Sequence, residues 1–243
     1  MALVLSLKLF WRELKSGQLI IMFFALVLAV ATVSSISLFT DRLEQALTIE
    51  TQEFLGGDLK FESNDLIEDE AYKKIEQLDL KVSEIVQFAS MLSSKEDLQL
   101  ASIKAVDRNY PLVGHMELQS ESVKEIVKTP PKKGQVWLDR RLMDILDLTI
   151  GDKVSIGEKD FSVSHIIISE PDRGSNSFAF APKAIINMGD LDSTNVIQPG
   201  SRVMFASLYI GERDEILLLK NILEKIKQPG DGIREAADSN DSL

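Results

Sequence analysis

The stretch "SGQLIIMFFALVLAVATVSSISLFT", Ser16 to Thr40, holds 25 residues without one charged side chain. As a helix it spans roughly 37 Å at 1.5 Å per residue, more than the roughly 30 Å hydrocarbon layer of a bilayer. Two readings compete for it. Leu19 to Leu28 could be the apolar region of a signal peptide, with Ala29-Val30-Ala31 as a small-x-small cleavage site. Apolar residues nevertheless continue through Val33, Ile36, Leu38 and Phe39, where a mature secreted N-terminus would turn polar. The expectation is therefore an uncleaved membrane helix over 17–40.

The flanks orient it. Lys8, Arg12 and Lys15 precede the helix, whereas Asp41, Glu44, Glu50 and Glu53 follow it. Basic residues stay on the cytoplasmic side, so the N-terminus is expected in the cytoplasm and everything after about Thr40 outside it. The expectation is a single-pass protein of the cytoplasmic membrane with an extracytoplasmic domain. Residues 1–16 repeat apolar side chains at Leu3, Leu7, Phe10 with Trp11, and Leu14. This spacing predicts an interfacial helix on the cytoplasmic leaflet, anchored by Lys8, Trp11, Arg12 and Lys15. A plain cytoplasmic extension of the membrane helix fits the same residues.

Beyond the charge-free run the chain carries 24 basic and 37 acidic side chains. A surface of that sign repels phosphate backbones and excludes nucleic acid as a partner of the large region. The absence of cysteine removes disulfides, thiolate metal sites, cysteine nucleophiles and lipoprotein acylation together.

Outward from the membrane, "DRLEQALTIETQEFLGG" continues as a helix with Leu43, Leu47 and Phe54 as its stripe and Gly56-Gly57 as its stop. "DLKFES" alternates as a strand, and "IEDEAYKKIEQL" places Ala71, Tyr72, Ile75 and Leu78 on one helical face. "KVSEIVQFASMLSS" and "DLQLASIKAVD" read as strands around the turn Lys95-Glu96-Asp97. Near the end, "SRVMFASLYIG" reads as a strand and "ERDEILLLKNILEKI" as a helix with Ile216, Leu219, Leu223 and Ile226 inward. Two strand-then-helix units with strands between them predict one α+β layer subdomain over 41–110 and 200–228.

The intervening 111–199 has more turns and shorter strands, such as "GQVWL", "DKVSIG" and "FSVSHIIIS". "DRRLMDILDL" predicts a short helix capped by Asp139, with Leu142, Ile145 and Leu146 inward; "PKAIINM" predicts another starting at Pro182. The expected fold is thus α+β, with an inserted mainly-β subdomain. Residues 229–243 read as a polar tail.

The membrane helix with "DRLEQAL", then "FLGGDLKFES", "GQVWLDRRLMDILDLTIGDKVSIG", "SEPDRGSNSFAFAPKAIINM" and "VIQPGSRV", resembles the N-terminal part of YbbP-type permeases. These are ABC transporter permeases of the MacB, LolC/LolE and FtsX superfamily. The resemblance covers nearly the whole chain. It implies a MacB-like periplasmic core of two subdomains, one α+β and one an inserted β unit. It also implies a separate cytoplasmic ABC ATPase subunit that binds the ATP, contact with membrane lipid, and room for an oligomer. The external domain would transmit ATP-driven motion of membrane helices to hydrophobic or lipid-related cargo or to a partner. Members of the family continue into further membrane helices, whereas this chain stops at Leu243, so the expectation is an N-terminal fragment. The alternative is a single-pass, membrane-anchored periplasmic binding module.

Catalysis finds no residues to rest on: no phosphate-binding glycine loop and no Gly-x-Ser-x-Gly turn occur. The expectation is a non-enzyme with no catalytic, cofactor-binding or metal-ligating residues and no cofactor of its own. His165, in the run Phe161, Val163, His165 and Ile167, reads as a satisfied or edge strand histidine sharing their face. One charged loop stands out, Glu170-Pro171-Asp172-Arg173. It predicts a rigid turn in which Asp172 caps local backbone and Arg173 pairs with Glu170 or Asp172, and it is the candidate structural or partner loop.

Overall fold

The computed structural model describes residues 18–95, 97–120, 123–172 and 181–236. The interfacial residues Lys8, Trp11, Arg12 and Lys15, and also Arg173, lie outside them. The chain divides into two compact units, Met1–Ile49 and Glu50–Leu243.

The first unit is, among the described residues, the greater part of one helix. Helix α1 runs Gln18–Leu55, and Ile20–Leu55 is long and apolar enough to cross a membrane. From Ile20 to Leu38 its large side chains are exposed, so its apolar surface is not spent on a protein core. The unit boundary falls at Glu50, so residues 41–49 group with the apolar helix instead of with the α+β region expected from 41 onward.

Among the described residues, the second unit is built on one eleven-stranded sheet. Its first part contributes β1 (Leu59–Ser63), α2 (Asp69–Ile75), β2 (Lys81–Ser94) and β3 (Asp97–Val106). The central part adds β4 (Met116–Ser120), β5 (Val123–Val127), β6 (Gln135–Asp139), α3 (Arg140–Ile145), β7 (Lys153–Ile156), β8 (Lys159–Ser169) and β9 (Lys183–Asn187). A 3-10 turn and the short α4 (Leu191–Thr194) lead to β10 (Val203–Ile210), α5 (Arg213–Ile226) and β11 (Gly232–Glu235).

The strand order is β11-β1-β10-β2-β3-β9-β6-β8-β4-β5, and β7 pairs with both β8 and β2. The double pairing of β7 closes a ring, β2-β3-β9-β6-β8-β7. Four strands of 111–199, β6 to β9, thus build a small barrel that borrows β2 and β3 from the α+β part, while β4 and β5 extend the sheet from β8. Its interior is filled by alternating residues: Phe88 and Leu92, Ile103, Ile186, Leu138, Phe161 and Val163, plugged by Leu142 of α3 and by Leu146 just after it. A second core lies under α2 and α5, where Leu59, Phe61 and Tyr209 meet Ile75, Ile216, Leu219 and Leu223. A third, with Ile85, Tyr110, Met116, Trp137, Ile185 and Leu208, lies on the opposite face of the sheet.

Local expectations fare differently. Asp139 caps α3, its carboxylate accepting from the Arg141 N–H at 2.9 Å. Ile145, expected inward, is 55% exposed, and Met143 takes its place in the core. "KAIIN" is the strand β9, not a helix. It sits between β3, parallel, and β6, antiparallel, with Ala184, Ile185 and Ile186 buried on both faces. Such a strand has no alternation to mark it. His165 does not share the face of Phe161 and Val163: the β6–β8 register shifts there, turning it onto Trp137, where it pairs with Glu125 at 2.8 Å. Residues 232–235 of the expected polar tail form β11 on the edge of β1, and Lys220 of α5 meets Glu235 at 2.7 Å.

Candidate functional site: a buried charge cluster at the end of helix α1

All five residues of β1 are buried, because β10 and β11 flank it and both its faces are covered. Leu59 and Phe61 point to the helices, so Lys60 and Glu62 must point to the other face. Lys104 of β3 shares that face, flanked in sequence by Ile103 and Ala105, which point into the barrel. Lys60 and Lys104 are each only 3% exposed, and a lysine that deep requires a counter-ion.

The loop after β8 supplies it. Lys104 Nζ lies 3.0 Å from Asp172 Oδ2 and 3.2 Å from Glu170 Oε2. Lys60 pairs with the other oxygen of Asp172, and Lys183 of β9 with the other oxygen of Glu170. Glu62 is 3.1 Å from Lys60 and 3.3 Å from Arg234. Tyr110, fully buried, accepts a 2.8 Å hydrogen bond from Lys104 and presents its ring 4.7 Å from the ammonium. Burial alone would push the Lys104 pKa down, but Asp172 and then Glu170 overcome it and hold the ammonium well above its ordinary value. Burial drives the Tyr110 phenol up, against the pull of Lys104, so it stays protonated.

The same loop grips the end of α1. A helix leaves its last four carbonyls without intrahelical donors. Here Gly56 and Gly57 N–H donate to the Gln52 carbonyl at 2.8 and 3.1 Å, and Asp172 N–H donates to that of Glu53 at 3.2 Å. Gly56 has φ +82°, and a Cβ there would sit 2.9 Å from the Asp172 Cβ, so only glycine permits this approach. Beside the joint is a cavity of about 320 Å³ walled by Glu50, Glu53, Phe54, His115, Glu117 and Pro171. His115 stands 4.0 Å from Glu53 and 3.8 Å from Glu117. Among the described residues no group of histidines and carboxylates could hold a metal ion.

Of the expected loop, Glu170, Pro171 and Asp172 are buried in this cluster. Described partners of the two acids are Lys60 and Lys104, far away in sequence, and Lys183 on the next strand, and Asp172 bonds the helix end. The three lysines and Tyr110 were not singled out from the sequence, and Glu53 was read there only as a flanking charge. A usable signal exists for one of them: Lys104 is a lone charge inside the apolar run "LASIKAV".

The described chain is thus an apolar helix followed by a mixed α/β domain whose sheet is completed by a small barrel. The family model for the MacB-like periplasmic core domain matches residues 19–216, and the chain belongs to that family. It is 35% identical over 207 residues to the uncharacterized ABC transporter permease YbbP of Escherichia coli (strain K12), covering 85% of this chain and 25% of that protein. The chain thus spans a quarter of that relative's length. Among solved structures, it is similar to the periplasmic region of MacB from Actinobacillus actinomycetemcomitans, with TM-score 0.50 and 13% identity over 80% of this chain and 96% of that one. The extracellular domain of the noncanonic ABC-type transporter YknZ from Gram-positive bacteria matches with TM-score 0.46 and 10% identity over 70% and 89% of the two chains.

Proposed function

We propose that this chain is the N-terminal part of an ABC transporter permease subunit, whose external domain carries motion of the first membrane helix outward. The observation that carries the reading is the joint. Asp172 bonds the last turn of α1 through its N–H and two sheet lysines through its carboxylate. A pull on that turn reaches β1 and β3 through charge-assisted bonds in a dry setting, where they are strong and directional.

On this reading ATP is bound by a separate cytoplasmic ATPase subunit and the chain itself is not an enzyme. α1 spans the inner membrane with its N-terminus inside, and residues beyond it face outward. The cargo is hydrophobic or lipid-related, handled directly or through a partner of the external domain.

The test uses the complete permease with its ATPase, comparing wild type with Asp172→Asn and Lys104→Met. Expected is ATP hydrolysis within about twofold of wild type with transport reduced by about tenfold or more, the size of one or two lost charge-assisted bonds. Transport that survives both substitutions overturns the coupling role. Topology is read separately: the chain has no cysteine, so a single one introduced at Asp192 reports its side of the membrane. Labelling by an impermeant maleimide in intact cells with the outer membrane opened is expected; labelling only after inner-membrane lysis overturns the orientation.

A further inference from the structure

The face of β1, β10 and β2 that carries Leu59, Phe61 and Tyr209 does not run unbroken into the barrel core. Between the helix-covered core and the barrel lies a cleft of about 140 Å³. Phe61, Val86 and Phe205 floor it; Tyr72 of α2, Ile67 and Met188 form its walls. Its position, between two packed cores, is where small-molecule sites concentrate. Its volume is close to that of an apolar cavity that admits one benzene ring, roughly 150 Å³.

Among the described residues, the charged groups of the cleft have one sign. Asp65 and Glu84 line it, and no lysine or arginine does. Among the described residues none pairs with Glu84. Tyr72 lies within the field of Glu84, which is the main reason its phenol pKa is raised. Glu84 itself is raised by burial and by nearby Asp107, so the negative potential at the rim is uncompensated. An apolar pocket with aromatic walls and an unpaired carboxylate at its mouth is complementary to an ammonium group on a hydrocarbon body.

The geometry points to a binding site in this cleft for a small organic cation whose body is about one aromatic ring in size, with Glu84 as counter-ion and Tyr72 as aromatic wall. The site does not depend on the transport reading, since every residue it uses lies in the folded unit after Glu50.

The probe is benzylamine, with benzyl alcohol as its neutral isostere, titrated against the full chain in nanodiscs by ligand-observed NMR with empty nanodiscs as the blank. Expected is binding of benzylamine about tenfold tighter than the alcohol, the increment of one ion pair with a cation–π contact. Glu84→Gln should bring the two ligands within about threefold of each other, and Ser207→Phe, which fills the cleft, should abolish both. No binding above the blank, a preference that survives Glu84→Gln, or binding that survives Ser207→Phe in a folded chain each overturns the site. Should circular dichroism show Ser207→Phe unfolded, Glu84→Gln, which adds no volume, decides the matter alone.

Discussion

The two faces of β1 solve the same burial problem in opposite ways. Leu59 and Phe61 meet α2 and α5 in an apolar core with Ile216, Leu219 and Leu223. Lys60 and Glu62, one residue along, meet Asp172, Arg234 and the partners of Lys104. The apolar face asks only for volume, because dispersion and water exclusion have no direction. The charged face asks for particular atoms at particular distances, because each ion was taken out of water and must be matched. The first solution tolerates change, and the second specifies one arrangement of sheet, loop and helix end.

Four substitutions would sharpen or break that contrast, each read by thermal and denaturant unfolding of the full chain. The largest effect is expected for Lys104→Met, which leaves Asp172 and Glu170 short of a buried cation, at about 4 kcal/mol. Leu219→Ala, on the apolar face, should cost about 3 kcal/mol through lost transfer energy and a cavity. Leu219→Met, which keeps the volume, should cost under about 1.5 kcal/mol; if Lys104→Met proves as cheap, the contrast fails.

The smallest effect is expected at Glu84. Folding raises its carboxyl pKa, so over part of the acid range the folded chain holds a proton that the unfolded chain has released. Its contribution is therefore present below the unfolded value, near pH 4.3, and lost as pH rises through the raised folded value. Glu84→Gln should then stabilise the chain slightly at pH 7, by at most about 0.5 kcal/mol because solvent screens so exposed a carboxylate, and change little below pH 4. A destabilisation at pH 7 would show that the carboxylate has a cationic partner after all.

Much of the fold was legible because its signals are local. The apolar run, the glycine stop after Leu55, the alternation of β1, the apolar runs of β2, β3 and β10, the Ile216-Leu219-Leu223 stripe and the Asp139 cap each involve residues within a few positions of one another. "KAIIN" was not legible, since a strand buried on both faces and a short buried helix look alike in sequence. The turn of His165 onto Trp137 depends on a register shift between β6 and β8 that no period reveals.

Of the candidate site, the sequence singled out Glu170, Pro171 and Asp172 but not what they hold. Sequence alone determined that an apolar helix leads into an acidic α+β domain, because burial of one face and the reach of one turn are written in neighbouring residues. Only the tertiary structure decided that Lys60, Lys104 and Lys183 converge on one loop, that the β7 pairings close a barrel, and that Asp172 meets the end of α1. Periodicity states which side of an element is covered; what covers it is set by contacts across tens of residues, and those exist only once the chain has packed.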